Sequence, residues 1–256
     1  MQALTRHQPM SLGRWNGRWS ASALTCALLA CLFGFTLAAC APPSRTQRPV
    51  TAAGQNAPGM TLVVMGASDA YGVGTDDFDR QNWPTQLAED LPQPVHLVNL
   101  GIPGATMAQA RQEELPVAAA QHPRILVLWL AVNDIIERVP LAAYSADLRA
   151  ILATLKAESP GTHVFVGNVP DLAQLPFFYS YDPVALQAQV AAWNAAISQD
   201  CAAEGATLAD LASGWGQLAN HPEYVSPDGL HPSPLGALEL AAYFDIVIRQ
   251  TLHLNG

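Results

Sequence analysis

TLVVMGASDAYGVG, at residues 61–74, combines an apolar run with a sharp, glycine-rich turn. The run, Leu62–Met65, has the length and composition of a strand that is buried on both faces. It ends at Gly66-Ala67-Ser68, and the glycines that follow keep the turn permissive. A strand that stops in this way holds the Ser68 hydroxyl at the carboxyl edge of a sheet, where open α/β sheets bind their ligands. Ser68 is therefore the candidate nucleophile, and the alternative is that it caps the next helix.

Apolar runs and segments with helical spacing alternate along the rest of the chain. Further strands are predicted at residues 95–100, 124–130, 162–166 and 206–211, and helices at residues 83–91, 107–114, 144–157, 184–203 and 233–252. This alternation indicates βαβ units with right-handed crossovers and a parallel sheet that helices cover on both faces. The predicted fold class is α/β, a flavodoxin-like three-layer α/β/α sandwich with a central parallel sheet of about five strands.

Residues 1–39 have the pattern of a bacterial signal peptide. Three arginines and no acidic residue precede an apolar stretch at residues 21–39, which ends in Leu-Ala-Ala-Cys at residues 37–40. This tetrad resembles the lipobox of bacterial lipoproteins, which implies cleavage before Cys40 and lipidation of its thiol. Two alternatives stay open: an ordinary signal peptide cut near the same place, and an uncleaved anchor, since the apolar stretch is just long enough to span a bilayer.

The segment after the signal peptide has the composition of a linker. Residues 41–58 are rich in Pro, Ala and small polar residues, so we interpret residues 40–58 as a lipidated cysteine and a flexible tether. With no repeat and no second change in composition, residues 59–256 form one predicted domain. On this interpretation the protein is exported and anchored through Cys40 to a membrane of the cell envelope, on the periplasmic or outer face.

Charge and cysteine content limit the classes of partner. The chain has 21 Asp and Glu against 12 Lys and Arg, a formal net charge of −9, and residues 1–39 contain three of the arginines but no acid. This balance argues against nucleic acid or an anionic membrane surface as an electrostatic partner. Cys26 and Cys31 lie in the signal segment and Cys40 is assigned to lipid, so Cys201 has no disulfide partner and is predicted to be a buried helix residue.

A second chemically informative stretch is Asp228-Gly229-Leu230-His231. An Asp and a His three residues apart at a turn can lie on the same side, so the carboxylate can accept from one ring nitrogen and fix the tautomer. The other ring nitrogen is then free to take a proton from a hydroxyl. Taken alone, the same residues also fit an Asp-Gly turn that carries a surface histidine.

Four short blocks of the chain follow the order of one enzyme family. Ser68 follows the first predicted strand, Gly104 the second and Asn133 the third, and Asp228 and His231 precede the last helix. In a parallel sheet these loops converge on one edge. Their order and spacing resemble the SGNH (GDSL-type) hydrolases, which are named for a Ser, a Gly, an Asn and a His in four blocks. The resemblance covers most of residues 61–245, and the DGLHPS run at residues 228–233 is its most specific part.

The resemblance implies a role for each of these residues. Ser68 is the nucleophile, His231 the general base and Asp228 its orienting acid. The oxyanion hole consists of the backbone N–H groups of Ser68 and Gly104 with the side-chain amide of Asn133. The implied activity is hydrolysis of a small carboxylic ester through an acyl-serine, without a cofactor. The alternatives are lysophospholipids, acyl thioesters or O-acetylated carbohydrates as substrates, or a non-catalytic envelope lipoprotein that binds a ligand.

Two blocks depart from the family pattern. The first, usually Gly-Asp-Ser, is Gly66-Ala67-Ser68 here, with the acid displaced to Asp69. The third, usually Gly-x-Asn-Asp, is Ala131-Val132-Asn133-Asp134. Neither change removes a group that performs chemistry, but loss of the first-block acid is expected to loosen the support of the Asn133 loop.

Other kinds of site are less well supported. The histidines are scattered, no HExxH or CxxC motif occurs, and the glycines do not form G-x-G-x-x-G, so neither a metal nor a dinucleotide is predicted. Residues 66–70 lack one glycine of the α/β-hydrolase elbow G-x-S-x-G, and that fold has strands before its nucleophile. His221 lies ten residues before His231, and two interpretations are open: it approaches the site, or, as we prefer, it is a surface-loop residue.

An aromatic segment follows the fourth predicted strand. Residues 171–181, DLAQLPFFYSY, lie on the same edge of the sheet as the candidate nucleophile. We expect Phe177, Phe178 and Tyr179 to form part of the acyl or alcohol pocket, or a flap over it. The alternative is that Phe177 and Phe178 attach the loop to the core.

Overall fold

The structure, a computed structural model, describes residues 59–214 and 218–254. The predicted signal peptide, Cys40 and the tether lie outside these residues. Five strands form one sheet: β1 Met60–Gly66, β2 Val95–Asn99, β3 Ile125–Trp129, β4 His163–Gly167 and β5 Thr207–Ala209. Their order is β2-β1-β3-β4-β5, and every pairing between neighbours is parallel. The predicted parallel sheet and its strands are confirmed.

Helices connect the strands. In the described residues they are α1 Ser68–Tyr71, α2 Trp83–Asp90, α3 Met107–Gln109, α4 Leu115–Ala120, α5 Val132–Ile136, α6 Leu141–Glu158, α7 Pro183–Glu204, α8 Leu211–Gly214 and α9 Pro234–Leu252. A π-helical turn, Ala110–Glu114, joins α3 to α4, so the predicted helix at residues 107–114 continues to residue 120. None of these helices combines the length and apolarity needed to cross a membrane.

Two apolar clusters, one on each face of the sheet, make the fold a three-layer sandwich. Every residue of β3 is buried, as the apolar run predicted. Leu126 and Leu128 belong to the cluster that contains side chains of α6 and α7. Ile125 and Val127, which alternate with them, belong to the cluster that contains side chains of α2 and α9. Cys201 is buried on α7, as predicted.

The strand order fixes where a site can form. β1 lies between β2 and β3, so the chain moves in one direction from β1 to β2 and in the other direction from β2 to β3. Open α/β sheets bind ligands at such a topological switch point, outside the carboxyl ends of the strands. Ser68, Gly104 and Asn133 all follow the carboxyl ends of these three strands.

Candidate active site

Ser68 begins the one-turn helix α1 directly after β1. The N-cap position of this helix is Ala67, and no side chain caps it. Ser68 Oγ instead lies 2.8 Å from Nε2 of His231, which is 163 residues later in the chain. The structure therefore brings a hydroxyl and an imidazole together, and the capping interpretation of Ser68 is wrong.

Asp228 holds the other side of the imidazole. Its Oδ2 lies 2.7 Å from His231 Nδ1, and its Oδ1 accepts from the N–H groups of Leu230 at 2.8 Å and His231 at 3.0 Å. Burial acts to raise the pKa of Asp228, but these backbone donors and the imidazole outweigh it and keep the pKa well below its ordinary value. The carboxylate is therefore charged at neutral pH and fixes the ring orientation.

The turn that carries Asp228 and His231 is packed on two sides. Gly229 has a φ of +79°, and a Cβ there would lie 2.8 Å from Cβ of Pro176. Its carbonyl oxygen accepts from the Phe177 N–H at 3.1 Å, so the loop after β4 supports this turn. Gly74, in the turn after the nucleophile, has a φ of +99°, and a Cβ there would lie 2.8 Å from Cβ of His231.

Three N–H donors lie on the loops after β1, β2 and β3. The Ser68 N–H is in the first turn of α1, where no intrahelical acceptor exists. Gly104 lies in an exposed loop with a φ of +84°. Asn133 Nδ2 donates one hydrogen to the carbonyl oxygen of Ala105 at 2.9 Å, which orients the amide and leaves its second hydrogen for another acceptor.

Asp134 joins the Asn133 loop to the Gly104 loop. Its carboxylate is buried and accepts from the N–H of Met107, with oxygens 3.0 and 3.3 Å from the nitrogen. Burial raises the pKa of Asp134 to about 6, although the Met107 N–H acts in the opposite direction. The alanine at position 67 was expected to loosen the support of the Asn133 loop. Asp134 and the amide of Asn133 nevertheless attach this loop to the Gly104 loop.

Asp69, the displaced acid, ties the nucleophile helix to α2. Its Oδ2 accepts from the indole N–H of Trp83 at 2.9 Å, and Trp83 is fully buried. Burial raises the pKa of Asp69 to about 6, while the indole donor and the nearby His231 lower it. Asp69 therefore has a structural partner of its own and does not occupy the place of Asp228.

A mostly apolar cavity opens beside Ser68, with about 680 Å³ of empty space including its open mouth. Its apolar walls come from the loops after β3 and β4 and from the segments that flank Asp228 and His231. Of the catalytic candidates, Ser68, Asn133 and His231 line the cavity. The apolar residues of its wall include Val132, Pro170, Leu172, Leu175, Leu218, Tyr224, Val225 and Leu230. These residues were not predicted from the sequence, although several of them adjoin the Asp228–His231 stretch or belong to the aromatic segment.

The structure does not bring the predicted aromatic residues to this cavity, since Phe177, Phe178 and Tyr179 are absent from its lining. Phe178 is 2% exposed and packs in the core, as expected if it attaches the loop to the core. Tyr179, in contrast, is 70% exposed. The reason is geometric, because residues 171–175 turn towards the cavity before the aromatic residues begin.

His221 lies at the surface beside the cavity wall. Its ring stacks on Tyr224, with centroids 4.5 Å apart, and its Nδ1 lies 3.0 Å from Glu223 Oε1. Within residues 59–214 and 218–254, no three His, Cys, Asp or Glu side chains gather as metal ligands. The site itself places a hydroxyl beside an imidazole that a carboxylate orients, and these are the groups that nucleophilic acyl transfer uses.

Comparison with solved structures shows the same fold in several hydrolases. A structure described as a lipolytic protein of the G-D-S-L family, from Desulfitobacterium hafniense DCB-2, is 18% identical with a TM-score of 0.60, and covers 73% of this chain and 99% of that chain. The esterase EstA from Pseudoalteromonas sp. is 17% identical with a TM-score of 0.60, covering 76% and 99%. Axe2, an acetyl-xylooligosaccharide esterase from Geobacillus stearothermophilus, is 18% identical with a TM-score of 0.60, covering 74% and 94%.

The family comparison is more specific than these likenesses, which show the fold. No curated protein matches the chain. Residues 64–237 match the GDSL-like Lipase/Acylhydrolase family, and this segment contains all four sequence blocks. The chain belongs to the GDSL-like lipase/acylhydrolase family and is a hydrolase of carboxylic esters.

Proposed function

We propose that this protein hydrolyses carboxylic esters with an apolar acyl group through an acyl-serine intermediate, using Ser68, His231 and Asp228 as a triad. The observation that carries the proposal is the continuous chain of contacts from Ser68 Oγ to His231 Nε2, 2.8 Å, and from His231 Nδ1 to Asp228 Oδ2, 2.7 Å. A hydroxyl is a weak nucleophile until an adjacent base removes its proton, and this arrangement supplies that base.

The first half-reaction transfers the acyl group to Ser68. His231 Nε2 takes the hydroxyl proton as Oγ attacks the ester carbonyl carbon, and the carbonyl oxygen becomes an oxyanion. The N–H groups of Ser68 and Gly104 and the amide of Asn133 donate to this oxyanion. When the intermediate collapses, the bond to the alkoxide oxygen breaks, His231 returns the proton to that oxygen, and the alcohol leaves.

The second half-reaction releases the acid. A water molecule attacks the acyl-serine carbonyl carbon while His231 accepts its proton, so the same three donors again receive an oxyanion. Collapse breaks the bond to Ser68 Oγ, which recovers its proton from His231. Asp228 stabilises the imidazolium in both halves because its pKa keeps it ionised.

The cavity supports the choice of an apolar acyl group. Residues such as Leu172, Leu175 and Leu230 present aliphatic surface beside Ser68, and apolar burial favours binding by about 0.8 kcal/mol for each CH₂. An O-acetylated carbohydrate would leave most of this surface unused. A lysophospholipid and an acyl thioester also carry an apolar acyl group. They differ in the leaving group, an alcohol in the first and a thiol in the second, and both remain candidate substrates.

We also propose that the protein is exported and carries a lipid on Cys40. The support is the sequence Leu37–Cys40 after an apolar stretch with arginines before it. Radioactive fatty acid fed to expressing cells should label the wild type and leave Cys40→Ser unlabelled. Equal labelling of both proteins would refute the lipid anchor.

An active-site phosphonate probe tests the catalytic proposal. The folded wild type should be labelled at Ser68 and lose ester hydrolysis, whereas Ser68→Ala should be neither labelled nor active. A folded wild type that is not labelled would support a non-catalytic ligand-binding protein. Near-wild-type turnover by Ser68→Ala would require another nucleophile.

A further inference from the structure

Glu114 is a buried acid that the proposed reaction does not use. It ends the π-helical turn at residues 110–114 and is 1% exposed. Its Oε2 accepts from the N–H of Gly66 at 2.9 Å, while its Oε1 has no hydrogen-bond partner in the described residues. A buried polar atom without a partner costs free energy, so an acid at this position requires an explanation.

The peptide that Glu114 holds lies directly behind the nucleophile. Gly66 is the last residue of β1, two positions before Ser68. Its carbonyl oxygen accepts from the N–H of Ile102 at 3.1 Å, and its N–H donates to Glu114. The segment 102–114 thus contacts both polar groups of Gly66, and Gly104 lies within that segment.

Glu114 can make this contact without burying a charge. Burial raises the pKa of Glu114 to about 8, the nearby Asp69 and Glu113 raise it further, and only the Gly66 N–H acts in the opposite direction. The side chain is therefore mostly protonated at neutral pH, and its carboxyl oxygen remains an acceptor for the Gly66 N–H.

We propose that Glu114 is a positioning residue that fixes the separation between the Ser68 nucleophile and the Gly104 oxyanion donor by holding Gly66 against the segment 102–114. It acts through Gly66, whose N–H is the hydrogen-bond partner that the Glu114 carboxyl has among the described residues. This inference rests on the proposed function, because the separation matters only if both groups act on one carbonyl.

Loss of the acceptor should affect the chemical step more than substrate binding. A displacement of about 1 Å between reacting groups can cost about 100-fold in rate. The cavity wall contains no residue of the segment 102–114, so the acyl group should bind as before. We therefore expect Glu114→Leu to lower kcat by roughly 10- to 100-fold and to leave KM within about threefold.

Glu114→Leu, Glu114→Gln and the control Glu113→Leu together test the positioning role of Glu114. Glu114→Gln keeps an acceptor oxygen, so its kcat should stay within about threefold of the wild type and exceed that of Glu114→Leu. Glu113→Leu changes the neighbouring exposed acid and should leave both constants unchanged. Circular dichroism and thermal unfolding establish that each variant is folded.

Three results would overturn the positioning role. They are a folded Glu114→Leu with wild-type kcat, a folded Glu114→Leu in which only KM changes, and a folded Glu114→Gln that loses as much as about 30-fold in kcat. The last of these keeps the proposal falsifiable if Glu114→Leu fails to fold. A wild type that the serine probe does not label would instead refute the proposed function itself.

Discussion

Ser68 Oγ lies 2.8 Å from Nε2 of His231, although 163 residues separate the two in sequence. The topology of the parallel sheet brings these two residues together, because the loop after β1 and the segment before α9 meet at the same edge of the sheet. Each residue is held separately: Ser68 by the turn of α1, and His231 by Asp228 and the packed Gly229 turn. The contact is thus preorganised before a substrate binds.

Removal of either partner should abolish most of the activity. Residues of a triad act as a unit, so Ser68→Ala and His231→Ala should each lower kcat by similar large factors, on the order of 10⁶. Asp228→Ala should cost less, on the order of 10⁴, because the imidazole stays near the hydroxyl. Steady-state hydrolysis of a p-nitrophenyl ester gives these values. A His231→Ala variant within about tenfold of wild type would contradict the triad.

Asn133→Ala should reduce kcat by roughly 100- to 1,000-fold with little change in KM, since an oxyanion donor acts mainly in the transition state. The substitution also frees the carbonyl of Ala105. Gln112 carries an exposed side-chain amide in the π-helical turn at residues 110–114. Gln112→Ala therefore serves as the matched control and should behave as wild type. An equal fall in both variants, or a change confined to KM for Asn133→Ala, would exclude the amide as an oxyanion donor.

The sheet and most of the helices were predictable because apolar periodicity reports burial, as the fully buried β3 shows. The meeting of Ser68 with Asp228 and His231 was also predictable, because their order and spacing with Gly104 and Asn133 resemble the SGNH pattern, whereas each stretch taken alone left another interpretation open. The cavity was not. In the sequence Leu172 and Leu175 look like ordinary core residues. The path of the loop places these two side chains in the cavity wall and leaves Phe177 outside it.

The path of that loop gives a prediction about acyl length. Leu175 lines the cavity and is buried, so Leu175→Trp should fill part of it and shift preference towards shorter acyl groups by at least about tenfold in kcat/KM. Phe177→Ala is the control, because its side chain does not line the cavity and its backbone N–H to Gly229 is retained. Measurements on p-nitrophenyl esters from two to twelve carbons, a span of about ten CH₂ groups, compare the two.

A change of chain-length preference in Phe177→Ala, with none in Leu175→Trp, would show that the acyl group binds along the aromatic segment instead. Acetylated xylo-oligosaccharides belong in the same series. A wild type that prefers them to every longer acyl ester would reject the apolar acyl group.

The raised pKa of Glu114 allows a prediction of how the free energy of unfolding depends on pH. Its pKa is about 8 in the folded protein against 4.5 ordinarily, so between these values the folded chain binds more protons than the unfolded chain. The contribution of Glu114 to the free energy of unfolding is therefore expected to fall as the pH rises through this window. The contribution that this acid makes is complete below about pH 4.5 and is lost once the pH passes about 8.

Glu114→Gln has no proton to release, so the difference in unfolding free energy between wild type and variant isolates this acid from Asp69 and Asp134, whose pKa values are also raised. Relative to the variant, the wild type should lose stability by a few kcal/mol, on the order of 3, from pH 5 to pH 8. Urea unfolding at several pH values measures it. A difference that does not change with pH would mean that Glu114 ionises normally, since a carboxylate with an ordinary pKa would add no slope in this range.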